Sequence, residues 1–193
     1  MKNVIMTVIM IIGFSSCKSS TEFSGTLDVQ RPIELNKGKE TIYPGSYKTK
    51  LKAKKDKVKI SLYKNDERVK KVSIKLPKDF VLPTNGSFSL SGDQINENLR
   101  IEGFIATNEI QVGGLFEELV DCGRMECWGS GPYGEPSCTY IPLISRFSYY
   151  KYEVNQLINL TFTNESENLR SSTYKGINNF ERKEVISGTD ACF

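Results

Sequence analysis

Three successive segments alternate strictly between apolar and polar side chains, and this alternation constrains the fold more than any other feature. In YKTKLKA (47–53), Tyr47, Leu51 and Ala53 share one parity, while Lys48, Lys50 and Lys52 share the other. In KVKISL (57–62), Val58, Ile60 and Leu62 alternate with Lys57 and Lys59. In KVSIKL (71–76), Val72, Ile74 and Leu76 alternate with Lys71, Ser73 and Lys75. Successive side chains on an extended strand point to opposite faces, so a period of two marks a strand with one buried and one wet face. The connectors KKD and KNDE are short enough for hairpins. The three segments therefore predict an antiparallel meander with lysines on its outer face.

The rest of the chain continues in the same manner. Pro77 and Pro83 bracket a crossing segment, and TNG (84–86) turns into SFSLSG. NLRIEGFIAT (98–107) and EIQVGGL (109–115) predict two further strands, and residues 147–163 predict one long strand or two. STYKGINNFERKEVI (172–186) predicts a final hairpin around Gly176, and LFEELVD (115–121) reads as one short turn or helix at most. These elements predict an all-β fold, an antiparallel β-sandwich or open barrel stapled by disulfides in its C-terminal half.

The chain contains no histidine. That removes Ser-His-Asp and Cys-His nucleophile activation, histidine metal sites and histidine acid–base work together. The candidates left for catalysis are carboxylates, of which Glu117, Glu118, Asp121 and Glu126 cluster in sequence. Two carboxylates suffice for glycoside hydrolysis when held at a defined separation with divergent pKa values, but nothing in their spacing specifies such a pair. No cofactor or metal is expected.

Five cysteines divide as one plus four. Cys122, Cys127, Cys138 and Cys192 lack the paired short spacings of a zinc site. In an exported protein they form disulfides, with three connectivities available. The favoured one joins Cys127 to Cys138, closing the Gly/Pro-rich loop CWGSGPYGEPSC, and Cys122 to Cys192, tying down the C-terminus. Closing a loop of this size contributes about 3 kcal/mol in the chain-entropy picture.

The remaining cysteine explains the N-terminus. Lys2 precedes an apolar run from Val4 to Phe14, followed by Ser15, Ser16 and Cys17. The run is shorter than the roughly 20 residues of a membrane span and has the length of a secretory apolar region. This segment resembles the lipobox of bacterial lipoproteins, although Phe14 stands where that family prefers Leu. The resemblance covers only these first residues. It implies a signal peptide over 1–16, a lipidated Cys17 opening a tether over 17–24, and a single β-rich domain over 25–193. It also implies a bacterial cell-envelope location, with lipid as the membrane partner and palmitate among the acyl chains. Lys18 rather than Asp after the cysteine favours the outer membrane.

Several motif matches dissolve on inspection. GSGPYG (129–134) fits a dinucleotide-binding pattern but carries Pro132 and lies between cysteines rather than between a strand and a helix. DQINEN (93–98) lacks the glycine and terminal glutamate of a calcium loop and reads as a turn. The sequons at Asn85, Asn159 and Asn164 are chance matches in a bacterial lipoprotein.

Charge is segregated along the chain. Residues 37–78 hold 15 Lys+Arg against 4 Asp+Glu, whereas residues 79–193 hold 8 against 16. The expected function is non-catalytic binding or structural support in the envelope. Lys48, Lys50, Lys52, Lys57, Lys59, Lys71 and Lys75 form a face for anionic lipid or glycan. Nucleic acid is not a partner, because no aromatics interleave with these lysines. Trp128 and Tyr133, on the disulfide-closed loop, either form a contact site or, for Trp128, cap the core. The alternatives are a glycan-acting hydrolase using a carboxylate pair and an enzyme inhibitor using the 127–138 loop. No protein partner is specified.

Overall fold

The alternating segments form the expected hairpins, and their pairing extends into a large sheet. A computed structural model describes residues 20–129 and 136–187. Its strands are β1 (Thr21–Val29), β2 (Ile33–Leu35), β3 (Glu40–Ile42), β4 (Gly45–Ala53), β5 (Lys57–Lys64), β6 (Glu67–Lys75) and β7 (Gly86–Leu90). A single helical turn, α1 (Gly92–Ile95), follows. The chain continues with β8 (Leu99–Gln111), β9 (Phe116–Asp121), β10 (Arg124–Trp128), β11 (Ser137–Ile141), β12 (Ile144–Asn164) and β13 (Leu169–Ser187). Every strand pairing is antiparallel.

The main sheet runs β6-β5-β4-β1-β13-β12-β8-β7, with β9 also on β12. The β5–β6 turn has Asn65 and Asp66 at φ 52° and 63°, the left-handed pair that matches the twist of a two-residue hairpin. Side chains of the apolar parity fill the interior: Leu51, Ile60, Leu62, Val72 and Ile74 are all buried. Fully burying one such side chain contributes about 1.5–3 kcal/mol.

The sheet curls upon itself. Leu51, Ile60 and Ile74 from β4, β5 and β6 line the same small internal space as Leu90, Ile101 and Leu160 from β7, β8 and β12. Strands from opposite ends of the order therefore face each other across one core. Phe80, in the crossing segment between the prolines, packs its ring 5.6 Å from that of Phe88 on β7. The small β2–β3 hairpin adds Ile33, Leu35 and Ile42 to the same core.

Four local expectations are corrected. LFEELVD is not helical: Phe116–Asp121 is β9, held by the ladder it makes with residues 144–149 of β12. A long-range partner outweighs the weak local preference of Leu and Glu for helix. Residues 172–186 contain no hairpin at Gly176, which lies mid-strand in β13 opposite Gly25. Residues 99–107 and 109–111 belong to one continuous strand, β8, because β12 runs alongside without a break. The sheet also begins at Thr21, inside the span expected as tether, since Phe23 is a fully buried core residue on β1. DQINEN adopts a helical turn, in which the Ser91 amide donates to Oε1 of Gln94 at 2.9 Å.

Candidate functional site

The lysine face assembles as register requires. Lys52 stands directly opposite Lys59, and Lys57 opposite Lys75. Lys50 faces Ser61, which faces Lys71, and Lys48 faces Tyr63, which faces Arg68. All seven predicted lysines thus share the outer face of β4, β5 and β6, with Arg68 joining them. Like charges placed directly opposite on a sheet destabilise it by up to about 1 kcal/mol per pair.

Part of this charge is balanced from neighbouring elements. Glu22 on β1 lies 3.6 Å from Lys52 and 4.0 Å from Lys50. Asp66 in the β5–β6 turn accepts a hydrogen bond from Lys48 at 2.7 Å, and that bond holds its carboxyl below the ordinary range. Asp56 lies 3.4 Å from Lys57. These exposed pairs each contribute little. Lys59, Lys71 and Lys75 have no ion pair among the described residues. Sequence reading missed Glu22, because only the pairing of β1 with β4 brings it beside the lysines.

Trp128 is 55% exposed on β10, so the core-capping alternative does not hold. The β10–β11 hairpin is closed by the Cys127–Cys138 disulfide, whose two cysteines are directly paired in the ladder. Met125, Tyr140 and Ile141 on the same hairpin are also exposed. Tyr133, Cys17 and Cys192 lie outside the described residues. Cys122 is disulfide-bonded as well.

The four carboxylates proposed for hydrolysis are each engaged elsewhere. Glu117 lies 3.7 Å from Arg146, and Arg124 donates to Glu126 at 2.6 Å. Lys183 donates to Glu118 at 2.9 Å, and this bond lowers the Glu118 pKa. The backbone amide of Gly123 is the first cause of a lowered pKa at Asp121, followed by the Tyr140 hydroxyl and the Leu143 amide. A general acid needs the opposite shift, upward. Strand parity also sends Glu117 and Glu118 to opposite faces of β9.

Outside these predicted positions, the outer face of the other half of the sheet carries Phe104, Leu157 and Ile177, exposed at 45%, 52% and 49%. Only strand order makes them neighbours. No protein-family model matches the chain, and no curated protein or solved structure matches it either.

Proposed function

We propose that this is a lipid-anchored envelope protein that holds its lysine-bearing sheet face against a polyanionic surface. The observation that carries the reading is the register that sets Lys52 against Lys59 and Lys57 against Lys75. A sheet accepts that repulsion at a cost in stability, and an anionic counter-surface offsets it. Near an anionic membrane each lysine contributes about 1 kcal/mol. A lipid on Cys17 keeps the face within reach, because the sheet begins at Thr21, four positions later. The role is binding rather than chemistry: the clustered carboxylates are tied to cations and backbone amides.

The test uses protein starting at Lys18, which retains every described strand, and vesicles with and without phosphatidylglycerol. Binding should require the anionic lipid and weaken with salt. Changing Lys50, Lys52 and Lys59 together to Glu should weaken it by roughly 100-fold or more, from about 1 kcal/mol per lysine. Lys59→Glu alone should act with opposite signs on two readouts. It weakens vesicle binding, yet raises folding stability by up to about 1 kcal/mol by replacing the Lys52–Lys59 repulsion with attraction. Binding that ignores these changes rejects the anionic-surface role.

The anchor is tested separately in cells. An alkyne fatty acid should label the full chain and not Cys17→Ala, which should leave the membrane fraction. Unlabelled wild-type protein rejects the lipid.

A further inference from the structure

We propose that the outer face of β8, β12 and β13 is a docking platform for a neutral glycan strand. The register builds it in rows that run across the three strands. Asn108, Asn155 and Asn179 form one row, and Ala106, Leu157 and Ile177 form the next. Phe104, Asn159 and Lys175 follow, then Glu102, Thr161 and Thr173. Ser87 and Ser89 on β7 extend the last two rows.

Two properties of this face point to a sugar. The first is exposed apolar surface on the side of the sheet that ordinarily carries polar groups. Phe104, Leu157 and Ile177 are about half exposed, with Leu157 directly opposite Ile177 and diagonal to Phe104. The second is a surround of uncharged hydrogen-bonding groups. The amides of Asn108, Asn155, Asn159 and Asn179 make no hydrogen bond among the described residues, so each offers two donors and an acceptor outward. A sugar ring presents the matching pair of surfaces, an apolar C–H face and a rim of hydroxyls.

Charge and shape narrow the occupant further. Glu102 is ion-paired with Arg100 at 3.5 Å, which leaves Lys175 as the one formal charge in these rows without an ion pair among the described residues, so the face carries little net charge. Next to Phe104 lies an open depression of about 590 Å³, lined by Ser87, Ser89, Glu102, Asn159 and Thr161 as well. Neighbouring strands lie about 4.8 Å apart, so the asparagine row steps at close to the advance per sugar along an extended glycan. The strand would lie across β8, β12 and β13, its rings over the apolar row and its hydroxyls on the amides.

The experiment titrates the full chain in detergent with two soluble hexasaccharides, β-1,4-linked glucose and β-1,4-linked N-acetylglucosamine. At least one should bind saturably and independently of salt. Phe104→Ala and Asn155→Ala should each weaken it by about 10-fold or more, the equivalent of one lost contact of about 1.4 kcal/mol. Both side chains lie on the outer face, so the variants should melt with the wild type. Lys59→Glu should leave glycan binding unchanged, which separates this platform from the lysine face. The proposal is overturned if neither hexasaccharide binds, if binding survives both substitutions, or if salt abolishes it. A protein captured through Phe104 with no glycan affinity overturns it equally.

Discussion

Gly25→Val is expected to lower folding stability by about 3 kcal/mol, roughly a 10 °C fall in melting temperature for a domain of this size. Gly25 lies mid-strand in β1, directly opposite Gly176 of β13. A Cβ there would overlap the carbonyl oxygen of Lys175 and crowd the Cα of Gly176. Both obstacles are backbone, so no rotamer change relieves them and the strands themselves must part. The seam is a sensitive one. In the order β6-β5-β4-β1-β13-β12-β8-β7, the β1–β13 ladder joins the lysine-bearing half to the half carrying Phe104. The control is Gly114→Ala, where a Cβ meets nothing within 4 Å. Thermal melts of the two variants decide it: a Gly25→Val protein that melts with the wild type refutes the packing argument.

Tyr174→Ala should be at least as damaging, at about 3–5 kcal/mol, the usual range for truncating a buried aromatic. Tyr174 is 1% exposed, and its hydroxyl donates to the Phe23 carbonyl at 3.0 Å. Its ring lies along β13 over Gly176, where any Cβ would meet the phenol. An aromatic side chain laid over a strand glycine covers the backbone that the glycine leaves bare. Tyr174→Phe keeps the ring and loses the hydrogen bond, for about 1 kcal/mol.

The same phenol gives a pH signature. Burial raises the Tyr174 pKa well above its ordinary value of about 10. A group whose folded pKa is raised contributes stability that is complete below the unfolded pKa and is lost as pH climbs toward the folded one. Wild-type stability should therefore fall more steeply between about pH 9 and pH 11 than that of Tyr174→Phe, since both share every other titrating group. Urea titrations at the two pH values measure the difference. Parallel slopes would show that Tyr174 ionises freely in the folded protein.

The lysine face shows how far local pattern reaches. Alternation in 47–53, 57–62 and 71–76 places each lysine outward, and the short connectors bring the three strands together as neighbours. Hairpin neighbours are adjacent in sequence, so their register follows from the turns, as at Asn65 and Asp66. The outer face of β8, β12 and β13 was legible only in part. Its strands at 98–107 and 147–163 are read from the sequence, but Phe104, Leu157 and Ile177 become neighbours only through the pairing of strands far apart in the chain. The Leu and Glu residues of 116–121 carried a misleading local signal. Gly176 did too, since a glycine inside an alternating run also marks a turn.

What the sequence by itself determined, over residues 47–76 above all, is the set of choices made within a few residues: which segments extend, which parity is apolar, and where the tight turns fall. Those follow from backbone sterics and from the cost of leaving apolar side chains in water. Beyond the hairpin neighbours β4, β5 and β6, only the tertiary structure decided which strands lie side by side. β1 buries Phe23 and Leu27, but β4, β5, β6, β8 and β12 offer the same kind of apolar face. The choice of β4 and β13 as its neighbours rests on fit between distant residues. Gly25 meets Gly176, and Tyr174 reaches the carbonyl of Phe23 across 151 positions of sequence. A two-residue period carries no record of such a partner, because shape complementarity exists only once both surfaces have formed.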